Sequence, residues 1–201
     1  MNVVELLQGR MDPALISQLT RQIGAASDDQ TEAAVSGIIS SLVTGLSKNA
    51  QQPGGAAALV SAVDRDHDGS LLDDVAGFIL GGRQTQNPNT LNGPGILGHI
   101  LGNNQSLVTD MLTKVTGLNN SQIGKLMFAL APMVLAALGK ARNQNGLDVG
   151  GISDLLQNTV KSQVTQRQEM GLLQRFLDSD GDGSVMDDIA NIGMKFFLSR
   201  R

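Results

Sequence analysis

Apolar residues recur along this chain at intervals of three and four rather than two. That spacing lines one face of a helix. Asp12 and Pro13 read as an N-cap and a first helical residue, and the pattern behind them runs to Gly24. A second helix is predicted over about 30–48, where Ala33, Ala34, Gly37, Ile38, Ser41, Leu42 and Gly45 form a face of small residues. "QQPGG" then breaks the pattern. A short helix over 55–63 leads into an acidic stretch, and another over 72–81 leaves it. Residues 81–95 are rich in Gly, Asn and Pro and read as a linker. Further helices are predicted near 96–101, 106–116, 121–142, 152–176 and 186–199, with Pro132 expected to kink or interrupt the third of these. No segment alternates as a half-buried strand does, so the fold class predicted is all-α.

The chain repeats itself. "DRDHDGSLLDD" (64–74) returns as "DSDGDGSVMDD" (178–188) with seven positions identical. Upstream, "LVTGLSK" (42–48) resembles "VLAALGK" (134–140), and "GAASDDQ" (24–30) resembles "GLNNSQ" (117–122) with one gap. Two blocks in the same order predict an internal duplication, with about 22 extra residues in the second copy near 144–165. The organisation expected is a helical repeat over 1–82 with acidic loop 64–74, a linker over 83–95, and a second repeat over 96–201 with acidic loop 178–188. The two repeats could pack as one globular unit.

The loops carry the chemistry. Against a D-x-D-x-D-G calcium loop, Asp64, Asp66 and Asp68 take positions 1, 3 and 5, Gly69 position 6 and Ser70 position 7. In the second copy Asp178, Asp180, Asp182, Gly183 and Ser184 take the same places. Alternate residues of a tightly curved segment can point carboxylates at one centre, and glycine permits the turn. Oxygen ligands without sulfur or paired histidine suit Ca²⁺ first and Mg²⁺ next. Position 12, normally a bidentate acid, is Val75 or Ile189, and the remaining acids are Asp73 and Asp74, or Asp187 and Asp188. Either member of each pair could close the shell, the other capping the outgoing helix with Ser70 or Ser184. The competing reading is that these Asp residues only cap helices and form turns.

Composition narrows the function. Of 19 acids, ten lie in the two loops, and the net charge is −4. There is no Cys, Trp or Tyr, and the only histidines are His67 and His99. Thiol chemistry, disulfides, catalytic triads and zinc sites are therefore poorly supported. Few aromatics and an acidic balance argue against nucleic acid. The longest apolar run, residues 126–138, is shorter than a membrane span. The N-terminus shows no signal-peptide pattern, which makes the cytoplasm the default, with export by a non-cleaved route left open.

The order of these blocks resembles a bacterial family, domain of unknown function 937. "GILGHILGNNQSLVTDMLTKVTGL" and "LMFALAPMVLAALGK" carry the resemblance best, joined to the acidic loop, which is itself similar to EF-hand-like loops of the dockerin kind. The family implies a bacterial helical protein without an assigned activity or catalytic residues. The function expected is non-catalytic: a divalent-cation (Ca²⁺) protein whose ions stabilise helix–loop–helix units, with an interaction or scaffolding role towards an unidentified protein partner. The alternatives are a self-associating helical protein, as a homo-oligomer with incidental metal, and a divalent-dependent hydrolase.

Overall fold

A computed structural model gives the fold, and it describes residues 3–66 and 92–162. Every element among the described residues is helical. The predicted helices 72–81 and 186–199, and the end of 152–176, lie outside the described residues. Contacts group Met1–Val160 as one compact unit and Lys161–Arg201 as a second.

In the first unit, α1 (Val3–Gln8) leads to α2 (Pro13–Ile23). The Asp12 side chain accepts from Leu15 N at 2.7 Å, as an N-cap does, and Gly24 closes α2 in the left-handed region at φ 70°. Its buried residues Leu15, Ile16, Leu19, Thr20 and Ile23 follow one helical face. Ser27 caps α3 (Asp28–Ala50), and the acids Asp28 and Asp29 sit in its first turn, where the helix dipole favours negative charge. The Ser17 hydroxyl donates to the Asp28 carboxylate, and this bond, aided by Thr20, holds the Asp28 carboxyl below its ordinary range.

α4 (Gly55–Asp66) follows the break at 51–54 and runs three residues past its predicted end. The chain is described again from Asn92, whose side chain caps α5 (Gly93–Leu101). α5 therefore starts inside the segment read as linker. A 3₁₀ turn (Gly102–Asn104) connects to α6 (Gln105–Thr116), which ends on Gly117 at φ 73°. Asn119 and Gln122 form a capping box for α7 (Asn120–Asn145), and α8 covers 149–162 behind an Asp148 side chain that accepts from Gly151 N.

α3 and α7 are the central helices, packed on each other, with the other elements around them. Their aliphatic faces, Ile38, Leu42 and Val43 on one side and Met127, Leu130 and Val134 on the other, belong to one core that also takes in Leu97, Ile152 and Leu156. Elements from the predicted first and second repeats thus share a core. The small-residue face of α3 receives its neighbours closely: a methyl at Gly45 would stand 2.8 Å from Ile100 Cγ2, and one at Gly37 would meet Leu112. Ala33 lies outside that face and is exposed.

α7 is long and apolar enough to cross a membrane by length and composition, but 72% of its apolar window is buried inside the fold. It is the core helix. α7 continues through Pro132, which is buried. Pro132 cannot donate to the carbonyl of Phe128 one turn earlier. That freed carbonyl is where α5 begins: a methyl at Gly93 would lie 2.4 Å from Phe128 O.

The two helix junctions meet each other. Gln122 Nε2 donates to Gly24 O at 2.7 Å, and Gly117 lies against Gln30, whose Nε2 would be 3.0 Å from a methyl there. Gly24 with Gln30, and Gly117 with Gln122, are the segments that the sequence pairs as repeats.

Candidate metal centre

α4 is the helix that delivers the first acidic loop. Gly55 opens it and an apolar face, with Val60 and Val63 buried, holds it to the core. Asp64, position 1 of the loop, sits in its last turn, and Asp66, position 3, is its last residue.

The Asp64 carboxylate is already held by a cation. Arg142 Nη1, from the last turn of α7, donates to Asp64 Oδ1. The side chains are 23% and 45% exposed for Arg142 and Asp64, so water reaches the pair and it contributes about 0–1 kcal/mol. Arg142 is only half engaged by it: its Nε is buried without a hydrogen-bond partner. The pair ties the last turn before the loop to the core helix, through a bond weak enough for another cation to displace.

Of the sequence-predicted ligands, Asp64 and Asp66 are brought to the end of α4. Asp68, Ser70, Asp73 and Asp74 lie outside the described residues, as do Asp178, Asp180, Asp182, Ser184, Asp187 and Asp188, and His67 with them. Among the described residues no cluster of three or more His, Cys, Asp or Glu could hold an ion. His99 is exposed on α5, and its backbone carbonyl accepts from Asn49 Nδ2 at 2.8 Å. That bond helps fix α5 to the end of α3.

Arg142 is the residue that sequence reasoning missed. One signal was present. In the alignment that pairs Lys48 with Lys140, Arg142 falls opposite Ala50. Ala50 is 6% exposed and part of the core, so that alignment sets a guanidinium opposite a buried methyl, and such a mismatch asks for an acidic neighbour.

Comparison with known proteins gives one match. The family model described as bacterial protein of unknown function (DUF937) matches residues 5–141, more than half of the chain. No curated protein and no solved structure matches the chain.

Proposed function

Because the chain belongs to DUF937, a bacterial family of unknown function, its role has to be argued from its own residues, and we propose that it is a non-catalytic divalent-cation protein built on a duplicated helical unit. The observation that carries this reading is the repeated loop: five carboxylates in eleven residues, twice, with Asp64/Asp178, Asp66/Asp180, Asp68/Asp182, Ser70/Ser184, Asp73/Asp187 and Asp74/Asp188 in the same places. Carboxylates crowded this closely repel, and a divalent ion relieves the repulsion. The contacts of Gly24 with Gln122 and of Gly117 with Gln30 support the duplication, since each joins one of the two segments that the sequence pairs to the other.

In this reading calcium competes with Arg142 for Asp64. Capture of the ion opens the last turn of α4, brings Asp64, Asp66 and Asp68 round one centre, and releases the guanidinium. The gain goes into holding helices together, and the surface serves a partner. Mg²⁺ fits the same oxygen donors less well because it demands a tighter octahedron.

Titration calorimetry of metal-free protein with Ca²⁺ and, separately, Mg²⁺ tests this. Two calcium ions should bind, with Kd on the order of 10⁻⁶ to 10⁻³ M for loops of this kind, and Asp66→Ala/Asp180→Ala should abolish the heat. A wild type that takes up neither ion ends the proposal. A double variant that still binds two ions shows that the ligands are wrongly assigned.

A further inference from the structure

We draw no further inference here: the strongest candidate, the apolar line of Leu107, Met111 and Val115 along the exposed face of α6, is an unpartnered helix face, and nothing in the structure shows what covers it.

Discussion

Asp64 has two claims on it, and they can be separated by changing the rival alone. Arg142 holds the carboxylate through one Nη1 contact that water reaches, while its Nε has no acceptor. If calcium must take Asp64 from Arg142, then Arg142→Gln removes a competitor without removing a ligand. The affinity of one of the two sites should rise, by up to about fivefold, which is the limit set by an exposed pair worth about 0–1 kcal/mol. The other site should not change. Calorimetry on Arg142→Gln with Asp180→Ala as background reads the first site by itself. An affinity that falls, or stays within error, means that Asp64 belongs to the core contact and not to an ion. The loop pattern singled out Asp64 but put it just past a helix ending at 63, whereas it lies in the last turn of α4. Its partner was not legible, because Arg142 is distant in the chain and enters through the meeting of α4 with α7, a tertiary event that no local spacing encodes.

At the scale of elements, what could be read from sequence was what is decided locally. The start and stop of α2 rest on Asp12, Pro13 and Gly24, each acting within a turn of its own position, so they were legible. The boundaries that moved are those set by a neighbour. α4 runs to Asp66, its last turn tied to Arg142, and α5 begins at Gly93 because that residue nests against Phe128. Pro132 was expected to kink or interrupt its helix; α7 is not interrupted there, and the carbonyl that Pro132 cannot serve is the one Gly93 approaches. Two glycine substitutions test this. At Gly93 a methyl would press on backbone at 2.4 Å from Phe128 O, which cannot swing away, whereas at Gly124 in α7 a methyl has nothing within 4 Å. Gly93→Ala should therefore lose about 1–3 kcal/mol, as overpacking does. Gly124→Ala should gain about 0.5–1 kcal/mol from helix propensity. Urea unfolding measures both, and equal effects of one sign would remove the close approach as the reason for Gly93.

The whole molecule divides its two acidic loops between two units. The loop at 64–74 belongs to Met1–Val160, and the loop at 178–188 to Lys161–Arg201. The formal net charge is −4, and two divalent ions would bring it to zero, so both loops bear on solubility, but they need not bear on the same unfolding transition. An ion stabilises only the cooperative unit that holds it. The larger unit contains the aliphatic core of α3 and α7 and should dominate a calorimetric scan. Calcium at about a hundred times its Kd adds roughly 2.7 kcal/mol per site, and at about 2–4 °C per kcal/mol for a chain of this size the main transition should rise by roughly 5–11 °C over its value in chelator. Asp66→Ala should erase that rise, because it disables the loop inside the larger unit. Asp180→Ala should leave it intact, because its loop lies in the other. Scans of the wild type and both variants, with chelator and with calcium, decide the matter: a rise lost in Asp180→Ala would show that the two units unfold together, and no rise in the wild type would remove the structural role assigned to the ion in the first loop.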